Sequence, residues 1–356
     1  MQQQDIHFST HGQAGHGQAG LIELDRPKAL NAISYDMAKA ISAQINRWSV
    51  DSSISHIVIA GSTPRAFCAG GDVRDLYQYI SRGEFERTRV YFRAEYNADL
   101  DVYNCTKPVI ALADGIVMGG GAGLMQCSRY RIASDAMRFA MPESAIGLFP
   151  DAGASIFLGR CPRPLALFIG LTGQIIGAAD CMMLGLADAV VPADRIAALR
   201  ADLLAADVTE IETIMTGYGI DPGPAPLQAN RTAIDHIFSG HDLAAMRDRA
   251  GDLARLKGDE FASMVHHALA TRCPMTMHVF MRLIDSDAAI PDMATALALD
   301  YRLAIRMSER ADFSDGVRAV LVDKSNDAVW SPDRLEGVTS AMLDMVFDHA
   351  DLPALR

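Results

Sequence analysis

Long hydrophobic runs, paired cysteines and an excess of positive charge are all missing from this sequence. No apolar run approaches the ~18 residues that a membrane-spanning helix needs, so no such helix is expected. The six cysteines form no C-x-x-C pair, so we expect buried free thiols rather than a zinc site or a disulfide framework. The net charge of -12 disfavours a nucleic acid or an anionic membrane surface as partner.

The amino terminus lacks targeting features as well. It has no basic region followed by an apolar stretch, as a secretory signal has, and it is not rich in arginine, as a transit peptide is. We therefore expect a cytoplasmic protein. Residues 7–18 are rich in His, Gly and Gln, a composition that favours a disordered or hairpin extension over a metal site.

What is present indicates a globular chain, because half of the residues are hydrophobic and 21% are charged. Strand patterns at 20–24, 54–60, 108–113, 130–133, 137–140 and 189–191 alternate with helical patterns, which predicts an α/β architecture up to about residue 200. Helical periods then follow at 231–238, 241–256, 259–270, 274–284 and 293–309. We predict a variable extension at 1–19, an α/β core at 20–220 and a helical carboxy-terminal region at 221–356.

Two glycine-rich segments follow predicted strands, namely residues 66–72 (AFCAGGD) and 114–123 (DGIVMGGGAG). Glycine lets backbone N–H groups approach a ligand, and a helix amino terminus favours negative charge there. The second segment lacks the Lys-Ser/Thr of a phosphate loop and fits the dinucleotide fingerprint poorly. An oxyanion hole is therefore favoured over a nucleotide site, although most Gly-Gly pairs are only turns.

Two carboxylates, Glu143 and Asp151, lie eight residues apart in the apolar segment FAMPESAIGLFPDAGA at 139–154. Charged groups are costly to bury unless they are used or paired, so a functional role is one interpretation. The other is structural, with Glu143 capping a helix and Asp151 serving as the N-cap of a helix that starts at Ala152. The residues by themselves leave both interpretations open.

These segments, together with LDRPKALNAI at 24–33, resemble the crotonase (enoyl-CoA hydratase/isomerase) superfamily in their order and spacing. The resemblance covers about residues 20–200. It implies a crotonase-like spiral of β-β-α units, a helical carboxy-terminal region and coenzyme A thioester substrates.

Within that superfamily the chain is most similar to the 3-hydroxyisobutyryl-CoA hydrolases. The segments that carry this similarity are FRAEY at 92–96, MGGGAGL at 118–124, the acidic stretch at 140–153, and DFSDGVRAVLVDK at 312–324 with Trp330. The length fits that branch too. Two departures are CPMTM at 273–277, in place of a Ser-Pro-x-Ser-Leu-like stretch, and Asp315, in place of a more usual Glu. The first leaves acyl-chain selectivity open.

The resemblance implies roles for five residues. Backbone amides of Gly71 and Gly120 would bind the thioester oxygen as it becomes negative. Glu143 would be the catalytic carboxylate, either attacking the thioester or acting as a general base on water. Asp151 would position water or the substrate hydroxyl and help with proton transfer. Glu95 matches a substrate-contacting acid of the family, and its structural alternative is a salt bridge on a helix surface.

The remaining expectations concern coenzyme A and assembly. Arg26 and Lys28, in the opening motif, would supply charge for coenzyme A, although exposed cations are usually only solubilising. Asp72 is expected to hold the glycine-rich loop in shape. We expect neither a cofactor nor a metal, since coenzyme A is part of the substrate. A homo-oligomer is left open, because crotonases commonly form trimers or paired trimers.

Two other functions compete with hydrolysis of a short-chain 3-hydroxyacyl-CoA in valine catabolism. Crotonase-type hydratases use two glutamates around one water, and the first of these falls at the position of Gly123. Glycine cannot transfer a proton, so we expect enoyl-CoA hydratase or isomerase activity to be weak or absent. A non-catalytic acyl-CoA-binding protein would tolerate loss of the acids, whereas Glu95, Glu143 and Asp151 are all retained.

Overall fold

A computed structural model describes residues 5–12, 17–286, 290–348 and 351–356 of the chain. Two compact units account for it. The first consists of Met1–Asp72, Ala94–Phe139 and Ile176–Pro226, and the second of Val73–Arg93, Ala140–Ile175 and Leu227–Arg356. The contiguous domain bounds given by the sequence, at 1–19, 20–220 and 221–356, stay a prediction.

The main sheet has six strands in the order β1-β2-β3-β5-β7-β10. Its strands are β1 (Ile6–His11), β2 (Gln18–Leu24), β3 (Ile54–Gly61), β5 (Val109–Ala113), β7 (Tyr130–Ser134) and β10 (Ala189–Val191). β1 is antiparallel to β2, and every other pair is parallel. The antiparallel β1–β2 pair agrees with the hairpin alternative for the amino-terminal extension, while residues 13–16 lie outside the described residues.

A smaller sheet contains four short strands in the order β4-β6-β8-β9. Its strands are β4 (Ala66–Cys68), β6 (Ile116–Met118), β8 (Arg138–Ala140) and β9 (Ile176–Gly177). β4 and β6 run parallel, so the chain leaves both strands at the same edge of the sheet. The two glycine-rich segments follow these strands.

Helices connect and cover the strands. Among the described residues they are α1 (Tyr35–Val50), α2 (Val73–Ser81), α3 (Phe85–Tyr103), α4 (Gly120–Gln126), α5 (Ala154–Phe157), α6 (Arg163–Thr172), α7 (Ala178–Met183), α8 (Ile196–Ala205), α9 (Ile211–Tyr218), α10 (Pro226–Ala229), α11 (Arg231–Ile237), α12 (Leu243–Lys257), α13 (Glu260–Thr271), α14 (Pro274–Asp285), α15 (Met293–Ser308), α16 (Ala311–Val317) and α17 (Ser340–Phe347). Within that part of the chain, no helix has the length and hydropathy needed to cross a membrane.

The core of the first unit lies between the six-stranded sheet and the helices α8 and α9. Parallel strands are usually covered on both faces, which is why β3 and β5 are nearly continuous apolar runs. The side chains that form this core come from five strands and two helices, and include Leu21, Val58, Ile110, Leu112, Ile132, Val191, Leu199, Leu203 and Ile211.

Helix starts in both units follow local capping chemistry. Ser34 caps α1 by accepting a hydrogen bond from the Met37 amide at 3.3 Å, as its placement in the sequence predicts. In the second unit, Asp242, Asp259 and Asp292 cap α12, α13 and α15 in the same way. The predicted helical periods therefore match the observed helices closely, with ends displaced by one or two residues.

Candidate active site

In the first unit, the two glycine-rich segments approach each other at backbone distance. A Cβ atom on Gly121 would overlap the carbonyl oxygen of Cys68 and lie 2.7 Å from the Cβ of Cys68. Gly70 has φ +104°, and a Cβ there would lie 3.5 Å from the Gly120 nitrogen. Only glycine permits this approach, so the two segments form one shared loop surface.

The amides of Gly71 and Gly120 lie side by side on that surface. The amide of Ile33 donates to Gly70 O at 2.8 Å, and the amide of Asp72 donates to Ile33 O at 2.9 Å. These two bonds use the residues on either side of Gly71 and do not involve the Gly71 amide. Gly120 is the first residue of α4, where amides have no carbonyl four residues earlier in the helix. Within the described residues, neither amide donates to a backbone carbonyl of the loops, and the Cβ position of Gly120 is 3.4 Å from Gly71 N. The two amides therefore lie close together, and their role in binding one oxygen stays a prediction.

Residues 24–33, the opening motif, are hydrogen-bonded to the glycine-rich segment at 66–72. Asn31, with φ +58°, accepts from the Arg26 amide at 2.8 Å and donates from its side chain to Ala66 O at 2.8 Å. Arg26 Nη1 donates to Asp72 Oδ2 at 2.5 Å, which agrees with the expected shaping role of Asp72. Lys28 is exposed on a short 3-10 helix, Pro27–Ala29. Roles of Arg26 and Lys28 in binding coenzyme A stay predictions.

Glu95 projects from α3 toward the same amides. Its carboxylate atom Oε1 occupies the space that a Cβ on Gly120 would fill. The side chain is only 6% exposed, so the alternative of a salt bridge on a helix surface is wrong. Burial raises the pKa of the neighbouring Cys68 thiol to about 12, and the charges of Glu95 and Asp99 act in the same direction. The first unit thus carries two amide donors with a buried acid beside them.

In the second unit, Glu143 is the first residue of a short 3-10 helix, Glu143–Ala145. Its N-cap position is held by Pro142, and no side chain caps the helix, so the capping interpretation of Glu143 is wrong. The turn is fixed by its neighbour Ser144, whose carbonyl accepts from the Cys273 amide at 3.0 Å and whose hydroxyl donates to Leu171 O at 3.1 Å. Glu143 is 5% exposed, which makes it a buried acid on a rigid turn.

Asp151 is also 5% exposed, and it does not cap a helix either. The helix α5 begins at Ala154 with Gly153 as N-cap, two residues later than the sequence suggests. The displacement has a backbone cause, because Ala152 (φ 51°) and Gly153 (φ 84°) both adopt left-handed conformations before the helix can start. The N-cap interpretation of Asp151 is therefore wrong.

Asp300, on α15, is a residue of this region that the sequence did not single out. It is fully buried, and its Oδ2 accepts from the Gly153 amide at 2.8 Å. Burial raises the pKa of Asp300 well above its ordinary value, the Gly153 amide opposes this shift, and the charge of Asp151 adds to it. In the sequence, Asp300 is spaced three residues from Leu297 and from Leu303, so it lies with these buried residues on an otherwise apolar face of the helix.

A metal centre is not suggested by the described ranges, since they contain no group of three or more His, Cys, Asp or Glu side chains arranged to hold an ion.

Three comparisons place these residues in a family context. The model of the enoyl-CoA hydratase/isomerase family matches residues 19–347. "3-hydroxyisobutyryl-CoA hydrolase, mitochondrial" of Xenopus laevis is 34% identical, over 93% of this chain and 86% of that protein. "3-hydroxyisobutyryl-CoA hydrolase 1" of Arabidopsis thaliana is 34% identical, over 93% of this chain and 89% of that protein. The crystal structure of a carnitinyl-CoA dehydratase from Mycobacterium thermoresistibile is 29% identical, with a TM-score of 0.90 over 99% of both chains.

These matches extend through the helical carboxy-terminal region, well beyond the residues that carry the superfamily motifs. The predicted crotonase-like α/β fold with a helical carboxy-terminal region is confirmed. So is the resemblance to the 3-hydroxyisobutyryl-CoA hydrolases. The relative from Xenopus laevis is named as a mitochondrial protein. The cytoplasmic location of this chain stays a prediction.

Proposed function

We propose that this chain, which belongs to the enoyl-CoA hydratase/isomerase family, hydrolyses 3-hydroxyisobutyryl-CoA to 3-hydroxyisobutyrate and free coenzyme A. The observation that carries this proposal is the similarity to proteins named 3-hydroxyisobutyryl-CoA hydrolase over 93% of the chain. The acids Glu95, Glu143 and Asp151 are all buried, which supports catalysis over mere binding because a protein that only binds acyl-CoA would tolerate their loss.

The amides of Gly71 and Gly120 would stabilise the charge that develops on the thioester oxygen. Fixed donors aimed at such an oxygen stabilise the transition state more than the ground state, and losing one typically costs ~3 kcal/mol. Gly120 opens α4, so the positive end of that helix adds to the effect. The side-by-side arrangement of these two amides supports this role.

Glu143 would drive the cleavage by one of two routes. In the first, its carboxylate attacks the carbonyl carbon, the C–S bond breaks, and water then cleaves the resulting anhydride to restore Glu143. In the second, Glu143 takes a proton from water, which attacks the carbonyl directly while the thiolate leaves. Both routes consume one water and release one acid and one thiol, so neither needs a cofactor.

The other acids would handle the substrate. Asp151 would position water or the substrate hydroxyl and assist proton transfer to the departing thiolate. Glu95 would accept a hydrogen bond from the substrate, since its carboxylate lies beside the Gly120 amide. Arg26 and Lys28 would supply positive charge for coenzyme A. The hydroxyacid product fits a step of valine breakdown, and we place the reaction in the cytoplasm.

Hydration of an enoyl-CoA is the second candidate, because a solved structure named carnitinyl-CoA dehydratase has the same fold. Hydratases of the family use two glutamates around one water. Here α4 has the sequence GGAGLMQ and carries no ionisable side chain. By the family resemblance, Gly123 would take the position of the first glutamate. We therefore assign hydrolysis, which needs one carboxylate, ahead of hydration.

The test compares wild-type protein with Glu143→Gln and with Glu260→Gln, a control that makes the same chemical change on an exposed residue of α13. Free thiol released from 3-hydroxyisobutyryl-CoA is followed after circular dichroism has confirmed folding. We expect Glu143→Gln to lower kcat by about 10²- to 10⁴-fold, the usual range for a lost acid–base group, and Glu260→Gln to leave it unchanged. Equal thiol release by all three proteins would exclude Glu143 from the mechanism.

A further inference from the structure

We propose that Asp300 is a positioning residue for Asp151, holding the backbone bend at residues 151–153 through the Gly153 amide. This inference rests on the proposed function, in which Asp151 assists thioester hydrolysis. Asp300 would touch neither the substrate nor the water. It would act by fixing the direction in which the Asp151 carboxylate points.

The bend needs an external support, because its backbone is unfavourable by itself. Ala152 has φ 51°, a left-handed conformation that a residue with a side chain rarely adopts, and Gly153 follows with φ 84°. Ala152 is nevertheless fully buried. Such a conformation persists only where surrounding contacts impose it, and the Asp300 Oδ2 bond to Gly153 N, at 2.8 Å, is a contact made directly to this bend.

One helix, α15, supplies two anchors for the bend. At its first residue, the Met293 side chain packs so closely on Gly153 that a Cβ there would overlap the Met293 sulfur. Two turns further along, Asp300 supplies the carboxylate oxygen. The start of α15 is itself fixed by Asp292, which accepts from the Thr295 amide at 2.7 Å. The helix is thus a rigid support whose contacts converge on the residues that follow Asp151.

Among the described residues, the bond to Gly153 is the one hydrogen bond that the Asp300 carboxylate makes. Its second oxygen, Oδ1, is buried and has no hydrogen-bond partner within the described part of the chain. A buried acid is costly, and an apolar residue at this helix position would be the cheaper choice for packing alone. Burial and the charge of Asp151 raise the pKa of Asp300, and its Oδ2 still accepts from the Gly153 amide.

Two variants separate the acceptor from the side-chain volume. Asp300→Asn keeps an oxygen that can accept from Gly153, whereas Asp300→Ala removes it. The matched control is Asp101→Ala, which removes a buried carboxylate that accepts from Ser42 and Asn46. With 3-hydroxyisobutyryl-CoA, we expect Asp300→Ala to lower kcat about 100-fold with KM nearly unchanged, as for a displaced catalytic group. Asp300→Asn and Asp101→Ala should keep kcat near that of the wild type.

A second measurement needs no substrate. Amide hydrogen exchange in a peptide covering residues 150–158 should be faster in Asp300→Ala than in the wild type, and unchanged in Asp300→Asn and Asp101→Ala. Normal kcat in folded Asp300→Ala, or unchanged exchange in this peptide, would overturn the positioning role. Asp300→Asn as impaired as Asp300→Ala would overturn the acceptor role.

The two proposals fail in different ways. Absence of thiol release by the wild type would refute the proposed function, while the exchange experiment would still decide whether Asp300 holds the bend. Thiol release by the wild type together with full activity of Asp300→Ala would refute the positioning role alone.

Discussion

Replacing Gly120 with alanine is the perturbation that probes the amide pair most sharply. The new methyl group would enter the space now taken by Glu95 Oε1 and would lie 3.4 Å from the Gly71 nitrogen. Glu95 can yield, because the overlapping atom is the end of a flexible side chain. Alanine also suits a helical position better than glycine does. We therefore expect Gly120→Ala to fold, but with a methyl group against the Gly71 amide.

The expected loss follows from what one such donor contributes. Removing an oxyanion-hole donor costs ~3 kcal/mol, and each ~1.4 kcal/mol corresponds to a factor of ten in rate. Gly120→Ala should therefore lower kcat/KM for thioester hydrolysis by about 10²-fold. The free energy of unfolding should change by less than about 1 kcal/mol, the size of a Gly-to-Ala effect in a helix.

The assay measures thiol release and urea denaturation for Gly120→Ala and for Gly217→Ala. Gly217 lies in α9, and a Cβ there meets no atom within 4 Å. This control should keep its kcat/KM and gain slightly in stability. A folded Gly120→Ala protein with kcat/KM within about threefold of the wild type, far less than the loss expected for a missing donor, would refute the amide pair as an oxyanion hole.

Three further predictions concern buried groups. Because the pKa of Asp300 is raised, the folded protein keeps this proton to a higher pH than the unfolded chain does, and the free energy of unfolding falls as pH rises above the unfolded pKa of about 4. Asp300→Asn should therefore gain stability relative to the wild type above about pH 4. A constant difference in the free energy of unfolding between the two proteins from about pH 4 to 8, measured in urea, would contradict this. Burial raises the pKa of Cys68 and Cys273 to about 12, so neither thiol should react with a disulfide reagent at pH 8 until the protein is denatured, and labelling of either in the native state would count against their burial. Gly170→Ala would push a methyl group into the Phe280 ring and should lower the free energy of unfolding by about 1–3 kcal/mol, in contrast to the α9 control; an unchanged urea midpoint would contradict the close approach of α6 and α14.

Local sequence patterns predict many of the strands and helices. The run at 54–60 is β-branched and ends at a glycine, and it forms the buried strand β3. Three of the helical periods after residue 230 begin at an aspartate that caps the helix, namely Asp242, Asp259 and Asp292. Such features depend on neighbours in the sequence, so a single chain is enough to find them.

The candidate site depends on contacts that no local pattern contains. An aspartate before an apolar helix is typical of an N-cap. The left-handed backbone at Ala152 and Gly153 delays the start of the helix, so Asp151 is not its N-cap. Glu95 lies on a helix in either interpretation, and its carboxylate contacts the Gly120 loop, which follows later in the chain. Asp300 meets Gly153 across 147 residues of sequence. Long-range pairings of this kind are fixed by packing rather than by propensity.

The proposed hydrolysis needs one carboxylate and lacks the second glutamate that hydration needs. It is tested most directly by following free thiol and alkene separately when the wild-type protein is given 3-hydroxyisobutyryl-, 3-hydroxypropionyl- and crotonyl-CoA. We expect thiol release from 3-hydroxyisobutyryl-CoA and no measurable loss of the crotonyl alkene. Alkene loss without thiol release from any of the three would contradict it.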